Sequence, residues 1–341
     1  MKKSVKIMYI GELSQHSRCM QRMRCLQDMG YEVKPVSTEL TGKKKVLYKV
    51  LWKLRIPLDF LGVNKTILNS IDEYAVLLIE KGNTIYPSTL KRVRNSFPKV
   101  NIVSYSEDDM YAKHNRSIFY SLGLKYYHNV FTTKSYNVEE LKNIGASKVI
   151  FVDKSYDEAS HYPVEEEIIN KYKLGSDVGF IGTFEINRAE SILFLAQHGV
   201  KVRIWGTGWK SWIGKHKNII IEDACLYGNK YRIGLCSTKI NLCFLRKANR
   251  DLQTDRTMEI PACASFMLAE RTLEHLRLFE EGKEAEYFDS NQELLDKIRY
   301  YLDHDNERKN IALKGRNRCI NSGYSHRNRL NYMMRTIMSN K

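Results

Sequence analysis

Residues Lys239–Leu245 read KINLCFL, and Arg246–Arg271 read RKANRDLQTDRTMEIPACASFMLAER. The first seven residues form an apolar run with the length of a buried strand. Pro261 limits where the next helix can begin, because proline is tolerated in the first turn, where backbone N–H groups lack intrahelical partners anyway. A start near Arg256 to Met258 is expected, with Thr257 as N-cap. Such a helix aims its unpaired amides and positive dipole end out of the carboxyl end of a sheet, which makes an anion site. Arg246, Arg250 and Arg256 crowd the same place, and guanidinium forks suit phosphate oxygens. Glu259 lies one helical step inside. A phosphate would repel it, so sugar hydroxyls are its natural hydrogen-bond donors. Diphosphate flanked by sugars is the chemistry of a nucleotide sugar.

Working outward, 341 residues with 43% hydrophobic content suffice for two domains with a core each. Lysine plus arginine number 55 against 39 acids, a net charge of +16 that favours anionic partners. No aromatic–glycine RNA signature, zinc-finger spacing or basic zipper accompanies that charge, so nucleic acid is not an expected partner. A basic nucleic-acid-binding protein is the rival from another functional class. It predicts salt-dependent binding to DNA or RNA that nucleotide sugars do not displace. The seven cysteines contain no C-x-x-C and lie mostly in apolar segments, as buried thiols of a reducing compartment do. No histidine cluster has metal-ligand spacing, so neither a metal nor a cofactor is expected. The charged N-terminus enters a strand pattern directly, unlike a signal peptide, and no apolar run has the length to span a bilayer. A cytoplasmic protein is expected.

In chain order, Val5–Ile10, a helix from Arg18 to Met29, and Tyr31–Pro35 open a parallel α/β domain. Ligands of such sheets bind beyond the strands' carboxyl ends, so the loop Gly11–Arg18, with His16 and Arg18, is a candidate binding wall. It lacks the later glycines of a dinucleotide fingerprint. Lys43–Arg55 carries six basic residues and no acid, with Val46, Leu47, Val50, Leu51 and Leu54 on one helical face. It reads either as an interfacial helix on an anionic membrane or as a helix packed on its own domain. Strands follow at Tyr74–Ile79, Val100–Tyr105 and Val130–Thr133, the last ending at Lys134. Asp108 and Asp109 follow the second of these. They read either as a general base for an acceptor hydroxyl or as helix-capping acids. A second α/β unit begins at Asp177, where the strand Val178–Ile181 runs into Gly182-Thr183 and a helix bearing Arg188. Glycine lets a phosphate approach the backbone and Arg188 can pair with it. The strand Val202–Trp205 ends in Gly206-Thr207-Gly208-Trp209, where Trp209 is a candidate wall and Gly206 a point of close approach.

RTMEIPACASFMLAER with FEEGKEAEYF, and KSYNVEELKNIGASKVIFVDKSYD with YSEDDM in the first half, resemble the spore-maturation (CgeB-type) glycosyltransferases. The resemblance implies an α/β protein of GT-B architecture, two Rossmann-like domains facing across a cleft. The boundaries would be 1–155 for the acceptor-side domain, 156–325 for the nucleotide-sugar domain and 326–341 for a helix crossing back to the first. In the retaining branch of that fold two glutamates seven residues apart hold the donor. Glu259 matches the second, the ribose ligand, and Asp251 stands where the first would be. The glycine that usually follows the motif's Ala-Cys is Ala264 here. The resemblance places Asp108, Asp109 and Lys134 on the acceptor side, Gly182, Thr183 and Arg188 on the donor, and Tyr227 under the base. It implies metal-independent transfer of a sugar from a nucleoside-diphosphate sugar to a hydroxyl of a bacterial surface glycan, free or lipid-linked. A nucleotide-sugar epimerase of the same fold is the alternative enzyme.

Overall fold

The structure, a computed structural model, describes residues 5–339. Its chain divides into two units, Met1–Asp153 with His326–Lys341, and Lys154–Ser325. Each holds one six-stranded sheet, and every strand pair in both is parallel.

In the first unit β1 (Lys6–Gly11), β2 (Glu32–Ser37), β3 (Val76–Glu80), β4 (Asn101–Ser106), β5 (Asn129–Thr132) and β6 (Val149–Phe151) lie in the order β2-β1-β3-β4-β5-β6. The central strands β3 and β4 are buried along their whole length, as strands covered on both faces are. Along β1 the side chains alternate between two cores. Met8 and Ile10 join Val63, Ile67 and Leu90. Ile7 and Tyr9 join Leu330, Met333 and Ile337 of the helix His326–Met338. β2 continues through Pro35 to Ser37, past the end expected from the proline. It is the sheet's edge strand, where the missing N–H costs no ladder bond.

In the second unit β7 (Ser176–Ile181), β8 (Val202–Trp205), β9 (Ile219–Ile221), β10 (Thr238–Cys243), β11 (Met267–Glu270) and β12 (Glu286–Phe288) take the order β12-β11-β10-β7-β8-β9. The chain runs outward from β7 through β8 to β9, then returns beside β7 as β10 and runs the other way. β7 and β10 therefore flank a topological switch point, where open α/β sheets bind ligands. The polar stretch before β7 contributes a helix, Glu166–Tyr172.

The helix after β10 spans Asp255–Ala262 with Thr254 at the N-cap, so it starts earlier than Pro261 suggested. Pro261 sits near the helix's end rather than in its first turn. The helix stops at Ala262, and Ala264 follows in the left-handed region at φ 52°. The proline ring packs close to Gly315, where an added Cβ would also meet the Glu284 carbonyl at 2.4 Å.

Candidate active site

The carboxyl ends of β7 and β10 bring the sequence motifs of the second unit together. Arg256 donates from Nη2 to the Phe244 carbonyl at 2.8 Å and from Nη1 to that of Ile181 at 3.4 Å. Arg188 donates from Nε to the Leu245 carbonyl at 3.2 Å and from Nη1 to that of Thr183 at 2.8 Å. Both guanidiniums lie over the Phe180 ring, at 5.2 and 5.7 Å from its centroid. Burial and the neighbouring Arg256 pull the Arg188 pKa down to about 10, while Glu185 and Asp251 act in the opposite direction. A guanidinium whose charge is disfavoured by a second one is relieved by an anion. Arg256 Nε is buried without a hydrogen-bond partner.

The two glycines that flank this place are there for space. A Cβ on Gly182 would sit 2.6 Å from the Phe180 ring and 3.1 Å from Arg256 Nη1. Gly206 adopts φ 148°, and a Cβ there would lie 2.0 Å from the Gly182 carbonyl. The two loops thus cross backbone to backbone. Trp209, expected as a binding wall, is fully buried. Its indole N–H donates to the Gly182 carbonyl at 2.9 Å, and its ring packs edge-on against Phe180 and Phe184. It braces the loop from behind and cannot touch a ligand.

Thr257 also departs from expectation. It lies three residues past the N-cap and is fully buried. Its oxygen accepts the Thr254 N–H at 3.0 Å, and its hydroxyl meets His275 Nε2 at 2.8 Å. His275 Nδ1 lies 2.7 Å from the Glu270 carbonyl, so Nδ1 carries the proton and Nε2 accepts. Burial lowers the His275 pKa to about 4, which keeps this ring neutral. Gln253 adds a bond to Glu274 at 2.7 Å and accepts the Lys154 N–H at 2.9 Å. The helix start is therefore fixed by a buried chain of hydrogen bonds.

Glu259 is 3% exposed and accepts the Tyr231 hydroxyl at 2.5 Å. His161 Nε2 stands 3.8 Å from its other oxygen, and His161 Nδ1 accepts the Asp157 N–H. Asp251 accepts from Asn249 Nδ2 at 2.8 Å and follows Arg250, which is left-handed at φ 47°. Arg246 is half exposed, with Nε 3.5 Å from Glu185. Tyr227 is 59% exposed, at the turn that starts the helix Gly228–Ser237. Glu185, Lys247 and Glu270 were not singled out from sequence. Glu185 meets Arg188 at 3.4 Å and the Lys247 backbone N–H at 3.2 Å. Glu270 pairs with Lys247 and accepts the Leu245 N–H. Signals existed, since Glu185 stands three residues before Arg188 and Lys247 adjoins Arg246. A cavity of about 250 Å³ opens here, lined among others by Arg188, Lys247, Glu270, Phe288 and Asn291.

In the first unit Asp108 is ion-paired with Lys81 at 2.6 Å. Burial would lower the Lys81 pKa, but Asp108 outweighs it and the lysine is held above its ordinary value. Asp109 is fully buried. One of its oxygens accepts from the N–H groups of Tyr111 and Ala112 and from Asn137 Nδ2, at 2.9 to 3.2 Å. No helix begins here among the described residues; the carboxylate braces a turn and is closed to an acceptor hydroxyl. Asp108 is left as the base candidate. Lys134 is 2% exposed, His16 is exposed, and Arg18 opens the helix Arg18–Asp28 behind the N-cap Ser17. Sequence reading missed the ion cluster at this edge. Glu80 ends β3 and takes two bonds of 2.7 Å from Arg22, with further bonds from the Tyr9 hydroxyl and the Cys19 thiol. Arg22 also meets Glu107 at 3.1 Å.

Residues 188–335, which contain the stretch that opened the sequence analysis, match the family model described as glycosyl transferase-like. No curated protein matches the chain. Sucrose-phosphate synthase from Thermosynechococcus elongatus is similar in structure over 99% of this chain and 100% of its own, with a TM-score of 0.67 and 11% identity. HepE of Anabaena, in complex with UDP and glucose, is similar over 98% of this chain and 99% of its own, with a TM-score of 0.66 and 12% identity. S. aureus MnaA, with UDP, is similar over 94% and 92%, with a TM-score of 0.55 and 12% identity. These likenesses show the fold: two parallel-sheet α/β domains of GT-B architecture. No group of three or more metal-ligand side chains that could hold an ion occurs among the described residues.

Proposed function

We propose that the protein is a metal-independent glycosyltransferase of the spore-maturation kind, which moves a sugar from a nucleoside-diphosphate sugar to a hydroxyl of a surface glycan, free or lipid-linked. The observation that carries this reading is the pair of guanidiniums, Arg188 and Arg256, stacked over one ring at the switch point of the second sheet. With Glu270 paired to Lys247, the three guanidiniums Arg188, Arg246 and Arg256 outnumber the two remaining acids, Glu185 and Asp251, and a diphosphate takes up the excess. In the reaction the diphosphate leaves with its charge held by these two groups and by the amides that open the helix Asp255–Ala262. Glu259 already accepts one hydroxyl hydrogen bond, from Tyr231, and ribose hydroxyls offer it the same chemistry. Tyr227 offers an exposed ring to the base. Asp251 faces the sugar. If the transfer inverts, Asp108 takes the acceptor proton; if it retains, the departing phosphate does.

A thermal-shift screen across UDP-, GDP-, dTDP- and CMP-sugars tests this. One nucleotide class should raise the melting temperature, because a ligand bound only to the folded state stabilises it. No shift with any of them, together with no transfer from any to glycan acceptors, would sink the reading. Activity should survive excess EDTA. Donor hydrolysis without acceptor and with inversion at the sugar would mark an epimerase instead. The anomer of the product, read by NMR, decides between inversion and retention.

A further inference from the structure

We propose that the helix Gly42–Lys53 docks the first unit on a bilayer surface containing anionic lipid. None of its residues is fully buried, and the aliphatic face is open rather than packed on the helix's own domain. Val46, Val50 and Leu54 are 64%, 54% and 66% exposed, and Leu47 is 48% exposed. At about 100° per residue these four fall within an arc of about 100°. The apolar surface continues past the helix through the exposed Ile56 and Leu58. Tyr48 and Trp52, stacked at 5.8 Å, lie on the opposite arc and are only partly exposed, so the helix is seated by its aromatics and turns its aliphatics outward. No helix among the described residues is long and apolar enough to cross a membrane, so the attachment is peripheral.

Charge selects the occupant. Lys43, Lys44, Lys45, Lys49, Lys53 and Arg55 accompany the apolar arc, with no acid in the segment. A second copy meeting this face across a two-fold axis would set six cations against six. Anionic headgroups neutralise the same cations while the acyl boundary takes up the aliphatics. This inference stands apart from the donor chemistry, since no residue of the second unit enters it.

The test is co-sedimentation of the full chain with phosphatidylcholine vesicles, with and without phosphatidylglycerol. Binding is expected only with the anionic lipid and should weaken as salt rises. Replacing Lys43, Lys44 and Lys45 together by glutamate should lower partitioning by about 100-fold. Replacing Val46, Val50 and Leu54 by serine should also reduce it, with the melting temperature unchanged because these side chains are exposed. Equal sedimentation of parent and variants, or none by the parent, overturns the proposal. So does a dimer, seen by light scattering and lost in the serine variant, without vesicle binding.

Discussion

The two sheets end in carboxyl edges of opposite electrostatic design. At the first edge the charges are satisfied from within: Arg22 faces Glu80 and Glu107, and Lys81 faces Asp108. At the second, Arg256 is held by backbone carbonyls rather than by a carboxylate, and Arg188 shares one acid, Glu185, with Arg246. The closed cluster around Arg22 holds helix to sheet and has little left for a ligand, whereas the Lys81–Asp108 pair stays partly open. A carbonyl-held guanidinium keeps its shape and its unspent charge, which is what an anion site needs before the anion arrives.

The contrast can be broken most severely at the first edge. Arg22→Ala leaves Glu80 buried beside no cation and should destabilise the protein by about 3–5 kcal/mol in urea unfolding. Nucleotide affinity of the folded fraction should not change. A loss below about 1 kcal/mol would mean that the cluster is not structural.

Acid probes the second edge, because its helix start depends on neutral His275. The folded pKa of about 4 lies below the ordinary 6.5. The unfolded chain therefore takes up the proton first as pH falls. The contribution is complete above about pH 6.5 and is lost on descending towards about pH 4, about 3 kcal/mol in total. Unfolding measured across that window should show the loss in the parent and a smaller slope in His275→Gln. Equal slopes would remove His275 from the account.

Arg256→Ala should lower nucleotide affinity by about 100-fold, or about 2.7 kcal/mol, read by calorimetry. Arg256→Lys should recover only part, since an ammonium cannot span two carbonyls and a phosphate with one planar fork. Full affinity in the alanine variant would place the anion elsewhere.

The smallest effect runs the other way. Ala264 holds a left-handed backbone that glycine adopts without a Cβ penalty. Ala264→Gly should raise stability by about 1 kcal/mol. A destabilised variant would mean that the methyl group packs more than the backbone strains.

Strands and helices were largely legible in the sequence, because apolar runs and turn residues carry that information locally. Val202–Trp205 agrees residue for residue. The start of the central helix was misread because Pro261 was given a first-turn place, whereas the helix simply ends beside it. Trp209, Thr257 and Asp109 have the chemistry of site residues, and burial decides against each. Burial is set by what folds over a residue, which no local pattern records. The Arg22–Glu80 pair spans 58 positions, so only the β1–β3 neighbourhood reveals it. Exposure of the helix Gly42–Lys53 was likewise undecidable from its periodicity, since a packed and an unpacked amphipathic helix share one pattern.

The place of the helix His326–Met338 in the first unit orders the life of the chain at the ribosome. The second unit, Lys154–Ser325, is continuous and can close as soon as it emerges. The first unit, although synthesised earlier, lacks Leu330, Met333, Met334 and Ile337 beside Ile7 and Tyr9 until residues 326–338 are made. Until then one face of its sheet is apolar and only partly covered, by Met23, Cys25 and Leu26 of the helix Arg18–Asp28. The half made first is therefore the half completed last, and a nascent chain stalled before residue 326 should need a chaperone for its opening residues rather than its newest.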